Sequence, residues 1–92
     1  MIRSFKNKGL KELFEDGKTA KLDRKLQKKI RLILDALDRA TSPGAMNLPG
    51  LQFHPLQGYK PTRYSVHVNG PWCVTFEFEG ENAMKVDFEQ YH

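Results

Sequence analysis

Apolar residues recur at steps of three and four between positions 22 and 37: Leu22, Leu26, Ile30, Ile33, Leu34 and Leu37. That spacing places one apolar stripe on an α-helix. Asp23 offers an N-cap, and Lys25, Lys28, Lys29 and Arg31 lie mostly off the stripe. The helix is expected to run to about Thr41, where Ser42-Pro43-Gly44 breaks it. A shorter helix precedes it. Asn7 is placed to cap this one, Leu10, Leu13 and Phe14 follow at helical spacing, and Gly17 suits the left-handed end. Residues 1–5, "MIRSF", predict a short strand, and "AMNLPG" (45–50) predicts a loop.

In the second half the period changes to two. Tyr64, Val66 and Val68 alternate with Arg63, Ser65 and His67. Trp72, Val74, Phe76 and Phe78 alternate with Cys73, Thr75, Glu77 and Glu79. Met84, Val86 and Phe88 are expected to point inward. Such alternation marks strands with one face on a core and one toward water. A three-residue loop, Asn69–Pro71, keeps like faces together by pairing Val68 with Trp72 and Val66 with Val74. The polar face then sets Arg63 opposite Glu77, Ser65 opposite Thr75 and His67 opposite Cys73. "GEN" (80–82) supplies the next turn. "LQFHPL" (51–56) supplies an earlier strand, shortened by Pro55, which cannot donate to a ladder. Parity leaves the facing of His54 open. Gln90 follows the inward parity of Phe88, and Tyr91 the outward parity of Asp87 and Glu89. The pattern predicts one α+β domain over residues 1–92: two N-terminal helices on an antiparallel sheet of three or four strands, its second face at least partly open.

Charge adds an asymmetry. Residues 1–31 hold 11 Lys/Arg against 4 Asp/Glu, a net +7, and residues 32–92 hold 4 against 7, a net −3. A basic end of this strength attracts a polyanion or an acidic protein, though a solvated helix face has the same composition. No apolar run approaches the roughly 20 residues of a membrane helix, and no signal-peptide pattern opens the chain. With Cys73 alone no internal disulfide can form, which fits a reducing cytoplasm.

Three chemistries find no support. One Cys and three scattered His give no zinc-ligand spacing, and no cofactor is indicated. "GLKELFEDGK" (9–18) falls in a helix and lacks the preceding strand of a phosphate loop. No Ser–His–Asp arrangement is readable. What remains is a set of His, Tyr, Arg and Lys: the inventory for cleaving RNA without a metal. One group takes the 2′-OH proton, one protonates the leaving 5′-oxygen, and cations stabilise charge building on the phosphate. A histidine can serve in either proton role near neutral pH. Each residue also has a plainer reading: His54 as a packed loop histidine, His67 as a cross-strand filler, Tyr91 as closure of the core edge.

Four stretches carry a resemblance. "MIRSFKNKGLKELFEDG" (1–17), "FHPLQGY" (53–59), "YSVHVN" with Trp72, and the closing "QYH" (90–92) resemble the HigB toxins of the RelE/ParE superfamily, in order over essentially the whole chain. The resemblance implies two N-terminal helices packed on a curved antiparallel sheet of about four strands. It implies a ribosome-dependent endoribonuclease acting on mRNA in the A site. It implies a HigA-like helix-turn-helix antitoxin, with DNA contacted only through the antitoxin complex. Lys6, Lys8, Lys11, Lys21, Lys25, Lys28 and Lys29 would then grip ribosomal RNA while the concave sheet face holds the codon. The final side chains, Tyr91 and His92, would reach into the site.

His54, Tyr91 and His92 match the family's catalytic positions. Three positions depart from its pattern. Gln57 stands where His-Pro-Leu-Lys-Gly has lysine, Cys73 where Trp-Arg has arginine, and Gln90 where Asp-Tyr-His has aspartate. Gln57, Cys73 and Gln90, with His67 opposite Cys73, are placed at the substrate. Two of the departures remove a positive charge, and losing one charge-assisted contact costs about two to three decades in rate. Lys60 and Arg63 are the nearby cations expected to compensate. Two alternatives stand beside this: a non-nuclease toxin of the superfamily, as in the gyrase-binding ParE branch, and an RNA-binding module without catalysis.

Overall fold

The structure is a computed structural model, and it describes residues 1–90. Helix α1 (Lys8–Asp16) and helix α2 (Arg24–Arg39) come first, then a 3-10 turn at Pro43–Met46. Four strands follow: β1 (His54–Leu56), β2 (Arg63–Asn69), β3 (Trp72–Glu79) and β4 (Asn82–Gln90). They form one antiparallel sheet in the order β1-β2-β3-β4. Two helices on an open four-stranded antiparallel sheet make the α+β architecture that the alternating pattern predicts.

The helix ends follow from their capping residues. Leu10 N–H donates to Asn7 Oδ1 at 2.9 Å, a cap worth about 1 kcal/mol. Gly17 adopts φ 79° and its N–H donates to Leu13 O, the left-handed exit that glycine favours. Gly9 serves a different purpose. A Cβ there would lie 3.0 Å from Lys21 Cβ and 3.1 Å from Leu22 Cγ, so its absence lets the α1–α2 connection close over the helix. Asp23 Oδ1 accepts from Lys25 N–H at the start of α2. This helix stops at Arg39, short of the expected Thr41, because Ala40 is already extended.

Ile30, Ile33, Leu34 and Leu37 of α2 are buried with Leu10 and Leu13 of α1 against Val66, Val74, Phe76 and Val86 of the sheet. Burying a side chain of this size contributes about 1.5–3 kcal/mol, so this layer carries most of the stability. Met46 joins it fully buried. The segment read as loop at 45–50 therefore opens inside a short helical turn that inserts a core residue.

Three strand details differ from the sequence reading, and each has a local cause. Val68 does not pair with Trp72. The register shifts between His67 and Asn69, and Asn69 is the partner of Trp72. A bulge at Val68 with a Gly70–Pro71 turn thus does what the three-residue loop was expected to do, keeping Val66 on Val74 and His67 on Cys73. Lys29 Nζ donates to the Val68 carbonyl at 2.6 Å, occupying an acceptor beside the bulge. Met84 is not in the core. A second irregularity lies between Thr75 and Glu77, with Lys85 at φ 50°, so Glu77 pairs with Met84 and the fully buried Ala83 takes the inward place. Third, residues 1–5 make no regular strand. They run parallel to β4 through isolated bridges, Ile2 to Ala83 and Phe5 to Val86. Among the described residues no helix is long and apolar enough to cross a membrane.

Candidate active site on the outer face of the sheet

The sheet face away from the helices carries Arg63, Ser65 and His67 of β2 opposite Glu77, Thr75 and Cys73 of β3, as the period-two pattern predicts. The question parity left open is answered by β1: His54 pairs with Ser65, so its side chain shares that face. Leu51 O accepts from His67 N–H at 2.6 Å, holding the segment before β1 against β2. Tyr91 and His92, the remaining expected catalytic residues, lie outside the described residues.

Two hollows open on this face and meet at Cys73. The first, of about 370 Å³, is lined by Gln52, His54, Ser65, His67 and Cys73 with the Gly70–Pro71 turn. The second, of about 320 Å³, is lined by Leu56, Gln57, Tyr59, Cys73, Thr75, Glu89 and Gln90. The candidates His54, His67, Cys73, Gln57 and Gln90 thus fall on one continuous depression, and the three departures from the family pattern fall together in its second half.

Hydrogen bonds set the state of both imidazoles. His54 Nδ1 lies 3.2 Å from Pro55 O, and His67 Nε2 lies 3.1 Å from Gly70 O. A carbonyl only accepts, so the ring nitrogen facing it donates. The neutral His54 ring therefore has Nε2 as its basic nitrogen, and the neutral His67 ring has Nδ1. An imidazole held in one tautomer is ready to exchange a proton through the other nitrogen.

Arg63 and Lys60 are placed differently. Lys60 is exposed in the loop between β1 and β2. Arg63 is buried, and its guanidinium donates to Glu77 Oε2 at 3.1 Å, Thr75 Oγ1 at 2.9 Å and Lys85 O at 3.0 Å. Thr75 Oγ1 in turn donates to Glu89 Oε2. One guanidinium thus ties β2 to β3, to the irregular point of β4 and, through a hydroxyl, to a carboxylate at the edge of the second hollow. The alternating pattern put Arg63 on this face but could not count its partners, because one of them, Lys85 O, depends on the β4 register.

Cys73 Sγ donates to Glu89 O at 3.4 Å. Burial pushes the thiol up from its ordinary pKa; the Ser65 hydroxyl partly offsets this and the Glu89 carboxylate adds to it. The folded chain therefore holds Cys73 as the neutral thiol at neutral pH, where it is a poor nucleophile. Iodoacetamide should alkylate Cys73 more slowly in the folded protein than in urea. Its rate should climb only as pH passes above the usual thiol range. Rapid alkylation of the folded protein at pH 7 would contradict this.

The expected RNA-binding lysines divide in two. Lys6, Lys8, Lys11, Lys25 and Lys28 are exposed. Lys21 is also exposed but is ion-paired with Glu12, whose carboxyl it holds below the usual range by hydrogen bonding, and Lys29 serves the Val68 carbonyl.

Comparison with known proteins agrees with this layout. The model of the HigB-like toxin family, described as the RelE-like toxin of the type II toxin–antitoxin system HigB, matches residues 3–92. Endoribonuclease HigB of Proteus vulgaris is 39% identical over 92 residues, covering 100% of both chains. The chain belongs to the HigB-like family, the RelE-like toxins of type II toxin–antitoxin systems, and so has an antitoxin for its partner.

Proposed function

We propose that this toxin is an endoribonuclease that cuts mRNA in the ribosomal A site and so stops translation. One observation carries the reading. His54 faces the same depression as Gln90, the residue directly before Tyr91 and His92, in a chain 39% identical throughout to an endoribonuclease. His54 and His92 divide the two proton transfers: one takes the 2′-OH proton as the 2′-oxygen attacks the adjacent phosphorus, the other protonates the departing 5′-oxygen. Tyr91 hydrogen-bonds the reacting phosphate, and His67 binds the strand beside it. Lys60 is the cation suited to the phosphate, because it is exposed while Arg63 spends its donors inside the protein. Arg63 contributes by holding the strands and Glu89 in place.

The exposed lysines of α1, α2 and the residues before them bind ribosomal RNA from the helical side. The antitoxin is a HigA-like helix-turn-helix protein, through which the pair contacts DNA. The site of action is the cytoplasm, where ribosomes are.

Primer extension on purified ribosomes carrying a defined mRNA tests the proposal. Cuts should fall within A-site codons and be absent on ribosome-free mRNA. Lys60→Ala should lower the single-turnover rate by about 10–100-fold with ribosome binding nearly unchanged. Growth arrest with intact mRNA would overturn the nuclease reading and favour another target, such as gyrase.

A further inference from the structure

Tyr59 stands apart from the other aromatic residues. It is 50% exposed, while every other described aromatic ring lies against a neighbouring ring, stacked, tilted or edge-on. A single exposed aromatic residue is ordinary on a protein surface. This one lines the second hollow, together with the Gln57 and Gln90 carboxamides and the Glu89 carboxylate.

The charge of that hollow decides what it can hold. Among the described residues lining it none is a lysine or arginine, and only Glu89 carries a carboxylate. That carboxylate is anchored: Oε2 accepts from Thr75 Oγ1, which accepts from Arg63 Nη2. A phosphate placed there would meet a fixed like charge, with no lysine or arginine among the described lining residues to offset it. An uncharged base would not. A carboxamide offers both donors and an acceptor, the groups that read the edge of a splayed-out RNA base, and an aromatic face is the usual platform on which such a base stacks.

We infer that the hollow between Tyr59 and Gln90 receives a nucleobase of the mRNA, stacked on the Tyr59 ring and held at its edge by Gln57 and Gln90. The replacements at positions 57 and 90 then serve base binding, and the phosphate lies toward His54 across Cys73. This rests on the endoribonuclease reading above and names the part of the substrate that this half of the site takes.

The test uses ribosomes carrying mRNA with 2-aminopurine placed in turn at each A-site codon position and with 2′-O-methyl groups to block attack. The fluorescence of 2-aminopurine falls on stacking. The native toxin should quench it at one codon position; Tyr59→Ala should abolish the quench and Tyr59→Phe should keep it. On unmodified mRNA, Tyr59→Ala should lower kcat/KM by roughly 10-fold or more, with Tyr59→Phe close to the native toxin. Equal quenching by the native toxin and Tyr59→Ala, or no quenching at any position, would overturn the inference. Intact unmodified mRNA with the native toxin would instead refute the nuclease reading, while the quenching series still decides the stacking.

Discussion

Replacing His54 with glutamine should reduce A-site cleavage by about 10²–10⁴-fold and leave the unfolding free energy almost unchanged. Glutamine keeps the length and a polar end but cannot exchange a proton near neutral pH. His54 sits on β1, a three-residue edge strand, and is only half-buried, so little packing depends on the ring. Its Nδ1–H is engaged with Pro55 O, which leaves proton exchange to Nε2. Single-turnover cleavage on saturating ribosomes, beside thermal melting of the same preparation, separates chemistry from folding. A variant that melts like the native toxin and still cuts at its rate would remove this imidazole from the reaction.

Arg63→Ala should do the reverse and act mainly on stability, by about 3 kcal/mol. The change strips Glu77, 9% exposed, of its close partner, and leaves Thr75 Oγ1 and Lys85 O without their donor. Lys85 Nζ, 3.9 Å from Glu77 Oε1 and well exposed, compensates only in part. For a domain of this size each kcal/mol moves the midpoint by about 4–8 °C, so the loss is plain in a melting curve. The double replacement Arg63→Met with Glu77→Leu removes both charges and keeps the volume, and should recover most of the loss. An equal fall in the single and double variants would show that packing, not the pair, is what matters there.

These two residues also mark how far the sequence can be read. The helices, their caps and the pairing of Arg63, Ser65 and His67 with Glu77, Thr75 and Cys73 follow from side-chain period and capping chemistry, both local. Met84 and Val68 did not follow. Each lies beside a bulge, and an inserted residue leaves no mark in an alternating pattern until the partner strand is known. The site divides the same way. His54 was identifiable from its motif, yet its facing required the β1 register. Arg63 was placed on the right face, but its third acceptor, Lys85 O, depends on where β4 kinks. Tyr59 escaped sequence reading because nothing along the chain separates an exposed tyrosine in a loop from one lining a substrate hollow.

The first residues alongside β4 bear on how the toxin behaves at high concentration. Arg3 and Lys6 donate to Ala83 O and Val86 O, and Met1 O and Ser4 O accept in return, so the outer margin of β4 is already occupied over this stretch. The opposite margin is β1, short and interrupted by Pro55. Among the described residues neither side offers the long run of vacant amides on which molecules of one kind template into fibres. A deletion of the first six residues would uncover such a run, and aggregation on concentrating, rather than any change in the cleavage chemistry, is where that loss would first be felt.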